Sequence, residues 1–179
     1  IPTTISNLTN LEYLNLSANN ITGESVIELS TLINLIYLIL SDNNLYGPIP
    51  SEFQNLINLE ELYLNDNYFE SIADNIDSLI NLKILNLSNN HLNSLPENIC
   101  NLPNDCFIDL GGNNLCDEYD YECIDNLDNQ TCCTEEETLI YNECYSIENT
   151  NRFDISNKPI LDENIQNLIN LEELNINNI

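Results

Sequence analysis

The side chains that could do chemistry are few and mostly gathered in one place. Seven cysteines (Cys100, Cys106, Cys116, Cys123, Cys132, Cys133 and Cys144) stand in the central stretch and none in the flanking regions. A zinc centre would need paired CxxC or Cys/His spacing, and the single histidine, His91, lies outside the cluster, so the pattern reads as a disulfide-stapled cap without metal. An odd number cannot all pair within one chain, which leaves at least one thiol free or bonded elsewhere. By proximity Cys100 pairs with Cys106, the vicinal Cys132 and Cys133 take different partners, and Cys144 is placed to tie the cap to the next segment of the chain. Asp117, Glu118, Asp120, Glu122, Asp125 and Asp128 crowd the same stretch and have the oxygen chemistry of calcium ligands. They lack EF-hand spacing and its glycine, and read as a solvated acidic loop. His91 directly follows Asn90 as a solvent-facing turn residue, and the chain holds no Gly-rich phosphate loop, HExxH or GxSxG. The expectation is a protein that is not an enzyme and carries no cofactor.

Composition narrows the partners. Thirty acidic side chains face three basic ones, Lys83, Arg152 and Lys158, for a formal net charge of -27. Such a field repels phosphate backbones and anionic membrane faces, so nucleic acid is excluded, while cations, basic proteins and neutral glycans stay open. Asn-x-Ser/Thr acceptors occur at Asn7, Asn15, Asn20, Asn86 and Asn129, and with the cysteines they point to a glycoprotein of an oxidising, extracellular or cell-surface setting. No apolar run approaches the roughly 20 residues of a membrane span.

The elements that must position these residues come from a repeat. LEYLNLSAN (11–19), LIYLILSDN (35–43), LEELYLNDN (59–67) and LKILNLSNN (82–90) align without gaps, and a fifth copy ends at Asn113 with Ile108 and Leu110 in place but Asp105 for the first leucine. The closing asparagines, Asn19, Asn43, Asn67, Asn90 and Asn113, stand 24, 24, 23 and 23 residues apart. Each copy reads LxxLxLxxN, and its apolar/polar/apolar triplet is a short half-buried strand. One unit cannot bury its own apolar face, so the units must stack into a solenoid with parallel strands. The amide of each asparagine offers a donor and an acceptor together, which suits a structural ladder that satisfies the inward-turning backbone.

These segments resemble the leucine-rich-repeat family over nearly everything outside the cysteine-rich centre. NLYGPIP (44–50) is similar to the plant-type repeat, whose members are extracellular recognition proteins, whereas NSLP (93–96) is closer to the general type and GESV (23–26) lacks the proline. The resemblance implies an α/β repeat solenoid wound as a right-handed superhelix, with short parallel strands on a concave face and an irregular or 3-10 convex side. It also implies that ligands meet the outward strand positions: Tyr13, Tyr37, Ile39, Glu61, Tyr63, Ile84, Phe107 and Asp109, with Asn15 and Asn86 among them. An aromatic row on a polar background suits protein or glycan contact.

The implied organisation is a solenoid over 1–114, a Cys-rich C-terminal cap over 115–133, a linker and N-terminal cap over 134–149, and a second array from 150 to 179. Phe153 and Ile155 mark a strand of that array and Leu171, Leu174 and Ile176 the next, with Lys158 at an asparagine position. IPTTISNLTNL (1–11) is the second half of a repeat, and Ile179 falls where a ladder asparagine belongs, so the ends are complementary. That pattern carries the expectation of further arrays in one chain or of subunits docked head to tail. The expected function is a non-catalytic structural or adhesive array, filamentous in form; the alternative is a recognition ectodomain that binds a protein or carbohydrate on the concave face.

Overall fold

The computed structural model describes residues 1–23, 26–116, 121–128, 130 and 132, together with the backbone of four later strands between 137 and 175. The chain divides into Ile1–Gln130 and Thr131–Ile179. In the first unit, strands β1 (Tyr13–Asn15), β2 (Tyr37–Ile39), β4 (Glu61–Tyr63), β6 (Ile84–Asn86) and β7 (Phe107–Asp109) form one parallel sheet in that order. The register sets Leu14, Leu38, Leu62, Leu85 and Ile108 in a single row. All of that row but Leu14, which is half-buried, are fully enclosed. This is the repeat solenoid that the sequence pattern requires.

Each rung returns through a short 3-10 turn: Thr3–Asn7, Ile27–Thr31, Ser51–Asn55, Ile76–Ser78 and Ile99–Asn101. A tight i→i+3 helix suits a return path only a few residues long. The turns point Leu29, Phe53, Ile76 and Ile99 into the core, and a leucine closes each of the five. Pro50 precedes the third turn with φ -59, so its ring pre-sets the entry. The plant-type segment forms a second, two-stranded parallel sheet, β3 (Tyr46–Pro48) against β5 (Tyr68–Ser71), whose register shifts at Pro48.

The asparagine ladder is present with one layer of detail that the sequence did not show. Asn67 Nδ2 donates to Leu64 O (3.1 Å) and Asn65 O (3.2 Å) of its own rung and to Leu40 O (3.0 Å) of the rung before, while its Oδ1 accepts Leu45 N–H (3.0 Å). Asn43, Asn90 and Asn113 repeat the arrangement and are buried. Asn19 is exposed and donates only to Leu16 O and Ser17 O. The residue before each ladder asparagine holds a left-handed backbone: Ala18 (φ 54), Asp42 (φ 56), Asp66 (φ 56), Asn89 (φ 53) and Gly112 (φ 69). Asp, Asn and Gly tolerate that region, whereas alanine pays about 1–2 kcal/mol there. At Gly112 a Cβ would also collide with Asn89 Oδ1.

Two further amide sets escaped the sequence reading. Asn34, Asn58 and Asn81, just ahead of the repeat leucines, reach back one rung to Thr9 O (2.6 Å), Ile33 O (3.0 Å) and Ile57 O (2.7 Å). Beyond Asn113 the ladder goes on through Gln130, whose Nε2 donates to Leu110 O (2.9 Å) and whose Oε1 accepts Leu115 N–H (2.9 Å). Asn126 lies in parallel register with Asp109, so this part of the Cys-rich stretch forms one more, shortened rung.

In the second unit, β8 (Glu137–Ile140) pairs antiparallel with β9 (Glu143–Ser146), bringing Leu139 opposite Cys144. β10 (Arg152–Asp154) pairs parallel with β11 (Glu173–Asn175), Phe153 opposite Leu174. Ile155, Lys158, Leu171, Ile176 and Ile179 lie outside the described residues.

The ladder generates a graded stability test. Asn67→Ala leaves the buried Leu45 N–H without its acceptor and removes three bonds donated to carbonyls, and is expected to lower the unfolding free energy by about 2–3 kcal/mol, Asn19→Ala by less than about 1 kcal/mol. Urea titration of the two variants reads the difference, and equal losses would mean that the ladder is not what the amide contributes.

Candidate functional site

Because each strand is three residues long, two positions per strand point outward, and parallel register turns them into two rows across the sheet. Tyr13, Tyr37, Glu61, Ile84 and Phe107 form the first row, and Asn15, Ile39, Tyr63, Asn86 and Asp109 the second. The eight residues expected to meet a ligand therefore share one face. Tyr13 and Phe107, at its two edges, are 55% and 46% exposed, and the central residues are half-buried against one another. The Tyr13 and Tyr37 rings are tilted at 48° with centroids 5.9 Å apart, so they support each other as well as facing outward.

The polar members of the face differ in how free they are. Tyr63 stands beside the Glu61 side chain; burial first, then that neighbouring carboxylate, raises the phenol above its usual range. Lys83 pairs with Glu60 at 2.8 Å, one residue before the first row. Asp109 is committed within the fold, its Oδ1 accepting Gly111 N–H (3.0 Å) and Asn126 Nδ2 (2.8 Å). The amides of Asn15 and Asn86 accept from the backbone N–H and hydroxyl of Ser17 and Ser88, which ends each strand in a side-chain turn. A separate row of exposed isoleucines, Ile33, Ile57 and Ile80, precedes the strands and takes no part in this face.

The cap departs from the expected pairing. Cys100 bonds to Cys123, 23 residues on, and not to Cys106, which is a buried free thiol. The reason lies in the fifth repeat: Asp105 stands at the leucine position but is exposed, and the adjacent Cys106 turns inward as a small apolar filler. Burial, with Asp125 and Asp105 nearby, pushes its thiol up to about 11. Cys116 and Cys132 are each disulfide-bonded. Cys133 lies outside the described residues, as do Asp117, Glu118, Asp120 and Asn129. Of the remaining acidic positions, Asp125 caps the last rung by accepting Ile108 N–H at 2.7 Å. Among the described residues no three His, Cys, Asp or Glu side chains converge on a metal position. His91, expected to face solvent, is half-buried with its ring edge-on to Tyr68 at 5.2 Å. No helix among the described residues is long and apolar enough to cross a membrane.

Cys106 should resist alkylation. The thiolate is the reactive form, and moving the thiol from 9.0 to about 11 cuts its thiolate fraction at pH 8 by about a hundredfold. Folding favours the neutral thiol, so the stability that its burial supplies is complete below about pH 9 and is lost as the pH climbs through about 11. Peptide mapping after iodoacetamide treatment at pH 8 is expected to find Cys106 unlabelled in buffer and labelled in urea; labelling in buffer would contradict its burial. Replacing both Cys100 and Cys123 by alanine opens a 23-residue loop and is expected to cost about 3 kcal/mol in the same urea titration.

Comparison with known proteins places this geometry. The Leucine Rich Repeat family model matches residues 10–32, 34–56, 58–79 and 81–102, half of the chain. Among solved structures, that of the Arabidopsis receptor kinase HAESA in complex with the peptide hormone IDA and the co-receptor SERK1 is 27% identical, with a TM-score of 0.62 over 82% of this chain and 25% of that one. The ectodomain of the receptor kinase SOBIR1 from Arabidopsis thaliana is 31% identical, with a TM-score of 0.57 over 63% of this chain and 62% of that one. A chain of the BIR3–SERK2 complex from Arabidopsis thaliana is 30% identical, with a TM-score of 0.57 over 72% of this chain and 65% of that one. The chain thus spans only a quarter of the matched chain of the HAESA complex and under two thirds of the others. A comparison with curated protein sequences gave no match. With its half-chain family match, stacked parallel rungs and asparagine ladder, the chain belongs to the leucine-rich-repeat family, and its repeats include the plant type.

Proposed function

We propose that this chain is a non-catalytic extracellular recognition module whose five-stranded face binds a protein or peptide partner. The observation that carries the reading is the outward face itself: Tyr13, Tyr37, Ile39, Tyr63, Ile84 and Phe107 lie in fixed register on a backbone locked from behind. Rigid aromatics lose little side-chain freedom on contact, which is why such residues dominate binding energy at interfaces. HAESA, a similar structure, was solved with a peptide hormone and a co-receptor, which supports recognition over an adhesive or filamentous array.

Disulfides in the cap and the glycosylation acceptors support the extracellular setting. We assign residues 115–133 as the cap of the first array and 150–179 to a second array. A glycan on Asn86 would stand between Tyr63 and Asp109 in the second row and restrict the face to slender ligands.

Arrays of secreted proteins and of glycans separate the ligand classes. The chain is expected to bind protein or peptide spots, and Tyr37→Ala with Tyr63→Ala to weaken that binding at least about tenfold, about 1.4 kcal/mol. Ile57→Ser, in the separate isoleucine row, is expected to leave it unchanged. Binding confined to glycans, or indifferent to the two tyrosines, would overturn the proposal.

A further inference from the structure

The centre of the outward face holds a carboxylate with no counter-ion among the described residues. Glu61 occupies the middle strand, flanked in its row by Tyr37 and Ile84, and Tyr63 stands two residues along the same strand. The Tyr63 phenol is its neighbour and the one donor beside it in the strand. One phenolic donor leaves most acceptor positions of a carboxylate open. Lys83, the basic side chain nearest in register, is engaged by Glu60 at 2.8 Å, and Glu61 has no ion pair among the described residues. In a chain of net charge -27 nothing about solubility requires one more carboxylate in the midst of an aromatic patch.

We infer that Glu61 is the seat for a lysine or arginine of an extended partner segment laid across the strands, with Tyr37 and Tyr63 as walls of the seat. This deepens the recognition proposed above and rests on it. The complementarity is threefold. A guanidinium or ammonium supplies the donors that the Glu61 carboxylate lacks. Tyrosine faces attract a cation. The long-range field of the chain draws basic segments toward it. Geometry sets the length of the segment: neighbouring strands lie about 4.8 Å apart, so the five-stranded face spans about 19 Å, the reach of about six extended residues. The apolar positions on either side of the basic residue would meet Tyr13 and Tyr37 toward one edge, and Ile84 and Phe107 toward the other.

Selection from a displayed library of random linear peptides, with the whole chain as bait, tests both layers. Enriched peptides are expected to share one basic residue flanked by apolar or aromatic residues, to lose affinity about tenfold or more against Glu61→Gln, and to weaken as salt is raised. Glu61→Lys is expected to turn the enrichment toward an acidic central residue, an outcome that a merely structural Glu61 could not produce. Peptides that bind in a Tyr37-dependent manner but carry no basic residue, or that ignore Glu61→Gln, overturn the cation seat and leave recognition standing. No enrichment that depends on Tyr37 or Tyr63 overturns recognition and the seat together. Unchanged urea midpoints for the Glu61 variants show that folding is not what has been altered.

Discussion

A buried amide that bonds two successive rungs at once is the interaction on which the rest of this structure depends. Leucine packing supplies most of the free energy but is non-directional, and a leucine column would accept a shifted neighbour almost as well as a correct one. The ladder asparagines do not. Asn90 gives its N–H groups to Leu64 O of the preceding rung and Leu87 O of its own, and takes Phe69 N–H on its Oδ1, so a displaced rung leaves several polar groups dry and unpaired. Register in this fold is therefore a hydrogen-bond property, while cohesion is an apolar one.

That division explains how so short a strand can build a recognition surface. A three-residue strand offers two outward side chains, too few to bind anything alone. Because the amides fix each rung against the next, outward residues from rungs 23 or 24 positions apart in sequence become immediate neighbours, as Tyr37, Glu61 and Ile84 do. The face can then vary freely in chemistry while the inward residues stay leucine, since neither row of outward residues takes part in the core. Evolution of such a surface needs no change in the fold that presents it.

Legibility in the sequence runs along the same line. The strands, the inward leucines, the ladder and the outward rows all come from one periodic pattern, because each residue type there answers a local demand repeated in every rung. Asn34, Asn58 and Asn81 were equally periodic, and the constant amide ahead of each repeat leucine was the signal that could have revealed them. Their role is harder to foresee because they are side chains at the surface, where polarity alone is sufficient reason for an asparagine. The cap was the least legible. Gln130 continues the ladder only 17 residues after Asn113, outside the period, and a glutamine does an asparagine's work there. The Cys100–Cys123 bond was hidden for a related reason: proximity along the chain favoured Cys106, but rung geometry turns that residue inward once Asp105 has left the leucine position vacant.

The Cys-rich stretch also shows how a shortened rung can follow the regular ones without a foreign structure. A normal rung ends in apolar residues that demand a successor, whereas the shortened rung puts Asp125 where the others have leucine or isoleucine. Its carboxylate takes the N–H of Ile108, so the last strand is paired on its far edge by a group that water can also reach. Gln130 closes the amide ladder behind it, and the disulfide from Cys123 to Cys100 pins the new edge to the turn of the rung below. Each device replaces one thing that a further rung would have provided: edge hydrogen bonds, ladder acceptors and cohesion. The free thiol fits the same logic, since Cys106 fills an apolar gap left by an irregular repeat and its burial keeps it from exchanging with the bond that holds the cap in place.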